Sequence, residues 1–184
     1  MFGLLFNPRR FFDEIERSKQ LSFLLVVLRW GATASFVILP LWLMEMLPFT
    51  KPWLPISSDT YYFWELIFLL PYGIGLTYAV SGFSTIFLRL CGRAGAGFRE
   101  VFAIVSYGLF LPWIPCLIWD LFLIFTNHWT LSWAIPVHSA ALVAESSLYV
   151  WGFKRVFGTP LWKAILLGIL NSIIFWGLSA TIVR

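Results

Sequence analysis

A chain of 184 residues with 60% hydrophobic and only 12% charged content, at a mean hydropathy of +0.83, lies far from soluble domains, which carry roughly 25% charged residues. That balance excludes a sizeable water-soluble catalytic domain and leaves one membrane domain. The net charge of +4 does not point to nucleic acid, because the cations gather at the edges of apolar stretches, where they suit anionic lipid headgroups.

In chain order, MFGLLFNPRRFF has no early basic region, too short an apolar run and no small-residue cleavage site, so it is not read as a secretory signal. Asn7-Pro8 is a helix start, since Asn caps and Pro suits the first helical position. From there Phe11, Phe12 and Ile15 share one side, with Arg9, Arg10, Asp13, Glu14, Arg17 and Lys19 on the rest. Residues 1–20 therefore form a cytoplasmic, amphipathic interfacial helix, the alternative being a plain extension of the first span.

Residues 21–184 form the membrane domain, an all-α bundle of five transmembrane helices over 21–47, 63–90, 101–125, 133–157 and 161–183. At 1.5 Å per residue, ~20 apolar residues cross a ~30 Å hydrocarbon core. Ten of the 13 Lys and Arg residues lie on one side of this arrangement: Arg9, Arg10, Arg17, Lys19, Arg89, Arg93, Arg99, Lys154, Arg155 and Lys163. Only Lys51 and Arg184 fall on the other, and Arg29 lies inside the first span. The positive-inside rule then puts the N-terminus in the cytoplasm and the C-terminus outside. Trp42, Trp53, Trp64, Trp113, Trp119, Trp129, Trp133 and Trp176 read as an outer aromatic belt, with Trp151 and Trp162 at the inner interface.

Between spans, the prolines of 48–60 predict an irregular outer loop. The glycine-rich run Cys91–Gly97 lacks the GxxxxGK[ST] and GxGxxG patterns and reads as a turn rather than a phosphate cradle. Gly158-Thr159-Pro160 supplies a helix stop, a cap and a first-turn proline, so the last two spans form a tight hairpin. Cys91 and Cys116 lie at depths too different for a disulfide.

Small residues recur every four positions: Gly75 and Ala79 in the second span, Ala140 and Ala144 in the fourth, Ala164, Gly168 and Ser172 in the fifth. These are the expected helix-packing faces. Asn171 reads as a buried interhelical hydrogen-bond donor. The intramembrane charges are rarer. Arg29 and Glu145, counted from the inner ends of antiparallel spans, come to a similar depth of roughly 12–14 Å. Because an unpaired charge there costs ~2.5–3.5 kcal/mol or more, they are expected to form a polar intramembrane pair, either structural or part of a substrate or proton path. Glu45, Glu65 and Asp120 form an expected outer acidic cluster. His128 and His138 show no metal-ligand spacing, and no GxSxG or comparable signature appears. No enzyme activity, cofactor or metal is expected.

Asn7-Pro8 with Phe11-Phe12, then Phe98-Arg99-Glu100-Val101-Phe102 continuing through Ser106-Tyr107-Gly108 to Pro112, then Trp151 to Gly158 leading into Trp162-Lys163-Ala164, follow one another in an order that resembles the Yip domain. This is the five-span family of Ypt/Rab-interacting proteins and their bacterial relatives. The resemblance covers nearly the whole chain through loose motifs. It implies a non-enzymatic protein that organises membranes or partner proteins, in the compact form of the bacterial branch and hence in an inner membrane. The long cytosolic lead and the Asp-Leu-Tyr-Gly-Pro motif of eukaryotic members are absent, so no Rab-binding residues carry over. Expected partners are membrane lipids and either a second copy or another membrane protein, and not nucleic acid. The competing reading is a small permease or lipid-moving protein that uses Arg29, Glu145 and the outer carboxylates. A continuous polar cavity joining the two sets would favour transport.

Overall fold

A computed structural model describes residues 6–48 and 55–180. The expectations for Lys51, Trp53 and Arg184 lie outside the described residues. Among the described residues every regular element is helical.

Helix α1 (Pro8–Asp13) starts as the sequence dictates, with Asn7 Oδ1 accepting from Arg10 N at 3.1 Å and Pro8 in the first turn. It ends at Glu14, whose φ of −102° and ψ of 42° turn the chain before the next helix. Helix α2 (Ile15–Leu43) is one rod with a π-helical stretch at Ala34–Ile38. Pro40, two residues further on, brings no N–H and a ring that crowds the preceding turn, and a widened turn accommodates both.

Helix α3 (Tyr61–Leu90) runs 30 residues through Pro71. Helices α4 (Phe98–Phe110) and α5 (Trp113–Phe125) are two halves of one crossing, broken where Pro112 and, three residues on, Pro115 each lack a backbone donor. Helix α6 (Leu131–Phe157) stops at Gly158, which takes the left-handed φ of 59° expected of a glycine stop. Helix α7 (Leu161–Ser179) follows after two residues.

Four of these rods, Ile15–Leu43, Ser58–Leu90, Phe98–Phe125 and Leu161–Ser179, are long and apolar enough to cross a membrane. Their outward faces carry Phe23, Leu28, Phe36, Ile67, Phe68, Ile86, Ile165 and Ile173, all exposed. Large apolar side chains covering the outside of a helix bundle suit hydrocarbon, not water. The protein is therefore an integral membrane protein. Helix α6 is 27 residues long, but His138, Ser139, Glu145, Ser146 and Ser147 make it more polar than the other four rods.

The centre of the bundle is α4. Residues 101–109 are buried all round, as a helix without a polar face must be, and α4 packs against α2, α3 and α6. Helix α7 closes the bundle against α6 and α3.

Several glycines sit where a neighbouring helix leaves no room for a side chain. A Cβ on Gly73 would lie 2.0 Å from the Trp30 ring, one on Gly108 2.4 Å from the Tyr149 ring, and one on Gly152 2.6 Å from Ile104. A Cβ on Gly168 would lie 2.8 Å from Val150 and 3.0 Å from the Ser146 carbonyl, and Ala164 and Ser172 continue that buried face. Gly75, Ala79, Ala140 and Ala144, expected at packing faces, point outward instead. The packed side of α6 is that of Ala134, Ala141, Glu145, Tyr149 and Gly152, one residue, or about 100°, round the helix from Ala140 and Ala144.

A second correction concerns α1. Phe11 and Phe12 are 0% and 2% exposed. Phe11 stacks on Tyr107 with centroids 3.9 Å apart, and Phe12 meets Tyr107 and Trp151 edge-on. The apolar side of α1 is thus turned into the bundle rather than into lipid. Ser18 Oγ donates to Phe11 O at 2.8 Å, and Arg155 Nε donates to Asp13 Oδ1 at 2.6 Å, which fastens α1 from both sides. This bond holds the Asp13 carboxyl below the ordinary aspartate value.

Several cations counted for topology also tie down loops at this end. Lys19 Nζ reaches Glu100 Oε1 at 2.8 Å and Glu16 at 2.6 Å. Arg89 donates to Ala96 O and Lys163 to Cys91 O, at 3.1 and 3.2 Å, while Arg93 donates to the Gly158 carbonyl.

Candidate functional site: a charged cavity inside the bundle

A cavity of about 470 Å³ runs from mid-bundle toward the end opposite α1, between α2, α5, α6 and α7. Arg29, Glu145, Asp120 and His138 all line it, among Trp30, Trp113, Trp129, Phe175 and Trp176. The volume lies in the ~300–1,000 Å³ range of small-molecule sites, and mostly apolar walls with a few polar groups are their usual make-up.

Arg29 enters from α2. Its Nη1 donates to Leu109 O at 2.7 Å, and Nε has no partner. The guanidinium carbon lies 5.1 Å from the Trp30 and Phe175 ring centroids and 5.9 Å from that of Trp113, within reach of favourable cation–π contact. Leu109 is in the last turn of α4, where the proline break leaves carbonyls without helical donors. Arg29 therefore sits at the negative end of a helix.

Glu145 enters from α6 and is 3% exposed. Its Oε2 accepts from Trp176 Nε1 at 3.0 Å, and Oε1 has no partner. The two charges share one cavity, yet each takes a different partner, Leu109 O for Arg29 and Trp176 for Glu145, and they form no ion pair with each other. The two residues do reach one cavity, but the direct contact expected between them is not made. Phe175 and Trp176, consecutive on α7, separate their stations: one lies against the guanidinium and the other holds the carboxylate.

The outer carboxylates disperse. Glu45 is exposed, just past the end of α2, with a positive φ of 53°. Glu65 is 3% exposed within α3, with both oxygens unpartnered, and lies outside the cavity lining. Only Asp120 reaches the cavity, where its Oδ2 stands 3.4 Å from His138 Nε2. No group of three His, Cys, Asp or Glu side chains is placed to hold a metal among the described residues. Cys91 and Cys116 are both free.

The Asp120–His138 contact is one that spacing alone does not suggest. His138 Nδ1 lies 2.9 Å from Ala134 O. A carbonyl only accepts, so Nδ1 carries hydrogen. Nε2 then faces Asp120 either as N–H against a carboxylate or as a lone pair against a protonated carboxyl. Either way the pair holds one bridging proton and adds no net charge to the cavity. An i to i+4 bond inside α6 positions the ring, and the His138 and Trp176 rings meet edge-on at 5.9 Å.

Away from the cavity, Ser84 Oγ lies 2.9 Å from Val80 O and 2.8 Å from the Asn171 side-chain oxygen. One hydroxyl hydrogen cannot serve both acceptors. With the amide turned over, Nδ2 donates to Ser84 Oγ while Ser84 donates to Val80, and the otherwise unpartnered Nδ2 is satisfied. Asn171 is then the interhelical donor that ties α7 to α3.

Of the Trp residues read as a lipid-facing belt, Trp113, Trp129 and Trp176 instead line the cavity. Fold and site together define a class: an integral membrane helix bundle enclosing a ligand-sized, charged and aromatic cavity. Comparison with protein-family models, curated proteins and solved structures finds no match to this chain.

Proposed function

We propose that this protein is a small permease-type membrane protein whose bundle takes a polar ligand into the cavity between α2, α5, α6 and α7. The observation that carries the reading is that Arg29 and Glu145 meet Asp120 and His138 in one enclosure. Burying ionisable groups at membrane depth costs ~2.5–3.5 kcal/mol each on insertion scales. A bundle that only packs against partners gains nothing from that expense.

Five spans belong to this reading, because α6 at 27 residues is about 40 Å long and carries His138 and Glu145 on the side that lines the cavity. The N-terminus is cytoplasmic and the C-terminus outside, on the distribution of Lys and Arg. The cavity then opens toward the outer side of a bacterial inner membrane. No chemical transformation of the ligand is part of the reading, nor any cofactor.

The Yip-type organising role is the second reading. It is favoured by the outward-facing Gly75, Ala79, Ala140 and Ala144, which leave room for a neighbouring helix, from a second copy or another membrane protein, to approach closely.

Purified protein in liposomes tests the first reading against the second. Entry of a panel of labelled amino acids, organic anions and organic cations, and exchange of fluorescent phospholipids between leaflets, are compared with empty vesicles. Movement of at least one class is expected, and Ala141→Trp, which fills the cavity from α6, is expected to abolish it. Vesicles no leakier than empty ones to every probe would leave the organising role as the better reading.

A further inference from the structure

We propose that the ligand is a zwitterion, with its anionic end on Arg29, its ammonium end on Glu145 and its apolar part against the indoles. This rests on the reading of the cavity as a ligand site and specifies the ligand's chemistry.

Two opposite charges line one cavity, and each is only partly satisfied: Arg29 Nε and Glu145 Oε1, both buried, have no hydrogen-bond partner, and the hydroxyls of Tyr149 and Ser172 are the other polar neighbours of Glu145. Left alone in a low-dielectric space, such groups gain most by closing on each other. Here neither does, because each is anchored elsewhere: Arg29 on Leu109 O at 2.7 Å, and Glu145 on Trp176 Nε1 at 3.0 Å. The anchors occupy each charge separately, with Phe175 against the guanidinium and Trp176 on the carboxylate. A lone anion would complete Arg29 and leave Glu145 facing a like charge. A lone cation would complete Glu145 and face Arg29. Only a molecule carrying both signs completes both groups at once.

Asp120 and His138 do not compete for either end. Their shared proton makes them neutral as a pair, and the His138 ring meets Trp176 edge-on.

A short ammonium–anion spacing occurs in free amino acids and in the ethanolamine phosphate headgroup of a lipid. The test therefore uses both. Purified full-length protein in neutral detergent is titrated with leucine, with 4-methylpentanoate (the same skeleton without the ammonium), with 3-methylbutylamine (without the carboxylate) and with short-chain dihexanoyl phosphatidylethanolamine. Fluorescence of the cavity tryptophans, Trp30, Trp113, Trp129 and Trp176, reports binding.

Leucine or the short-chain lipid is expected to bind at least about tenfold more tightly than either single-charge analogue, as loss of one charged hydrogen bond predicts. Binding by leucine would assign a free solute, and binding by the lipid alone a headgroup. Glu145→Gln keeps an acceptor for Trp176. It is expected to weaken the zwitterion about tenfold while leaving 4-methylpentanoate equal or tighter, and Arg29→Gln is expected to do the reverse with 3-methylbutylamine. A misfolded variant would weaken every probe together, so the crossed pattern separates recognition from folding. An analogue that binds as tightly as the zwitterion overturns this proposal and leaves the cavity a ligand site. Silence from all four probes overturns both.

Discussion

Gly73→Ala perturbs a site where the Trp30 ring lies directly over the glycine. A Cβ there would lie 2.0 Å from Trp30 Cδ2 and 2.4 Å from Cγ, and ordinary contact begins near 3.4 Å, so the ring must withdraw by about 1.4 Å. The obstructing atoms are the root of the indole, which moves only if χ1 leaves its well. Trp30 is 2% exposed and packs against Phe175 at 5.7 Å between centroids. The space it can retreat into is the cavity it lines. Forcing a methyl group into a filled core costs ~1–3 kcal/mol, while alanine in place of glycine within a helix returns ~0.8–1 kcal/mol. The single mutant should thus lose up to ~2 kcal/mol, too little to be decisive alone. The double mutant discriminates. Trp30→Ala by itself should cost ~3–5 kcal/mol, but it removes the obstacle, so adding Gly73→Ala to it should be neutral or stabilising by up to ~1 kcal/mol. The coupling, ~1–3 kcal/mol, can be read from reversible unfolding in mixed micelles, with loss of helical circular dichroism against the mole fraction of SDS. Additive effects would show that α2 and α3 do not meet at this glycine.

Gly168→Ala should destabilise by ~1–3 kcal/mol by pressing on Val150 and the Ser146 backbone, whereas Gly75→Ala, with open space around its Cβ, should be neutral or gain up to ~1 kcal/mol in the same titration; equal effects would refute the assigned faces. Phe11→Ala should cost ~3–5 kcal/mol even in detergent, because Phe11 is buried against Tyr107; a loss seen only in bilayers would return α1 to the lipid interface. The folded-state pKa of Asp13 is depressed by Arg155, so their bond contributes fully above the unfolded value near pH ~3.9 and is lost as pH falls through the folded one. Amide exchange at α1 should accordingly quicken below about pH 4, and Asp13→Asn should make it fast at neutral pH too; acid-independent exchange in the native chain would refute the link.

Helix ends and spans were legible in the sequence because their signals are local. Asn7 caps α1, Gly158 stops α6 in a left-handed conformation, and apolar length alone finds four of the rods. The faces were not legible at Gly75, Ala79, Ala140 and Ala144. In water, polarity marks which side of a helix is outside. In lipid, a small apolar residue is equally at home against a neighbour or a hydrocarbon tail. Four-residue spacing therefore fits both the stripe of Ala140 and Ala144 and the packed stripe of Ala141 and Glu145. What separates them is the carboxylate, which has no tolerable place in hydrocarbon; rotating α6 to bury Glu145 carries Ala141 inward and Ala140 out.

The same logic explains how the site was half visible. Counting residues from the inner ends of antiparallel helices brings Arg29 and Glu145 to one depth, and they line one cavity. What the count cannot register is that α4 ends early. The third crossing breaks at Pro112, α4 ends at Phe110, and the carbonyls of its last turn are left without helical donors; Leu109 O is the one Arg29 takes at 2.7 Å. A cation already opposed by a helix C-terminus needs a carboxylate less, and Glu145 is held in turn by Trp176. The break in α4 thus has two consequences at once. It gives Arg29 a neutral anchor, and it leaves Arg29 and Glu145 lining the cavity without pairing with each other.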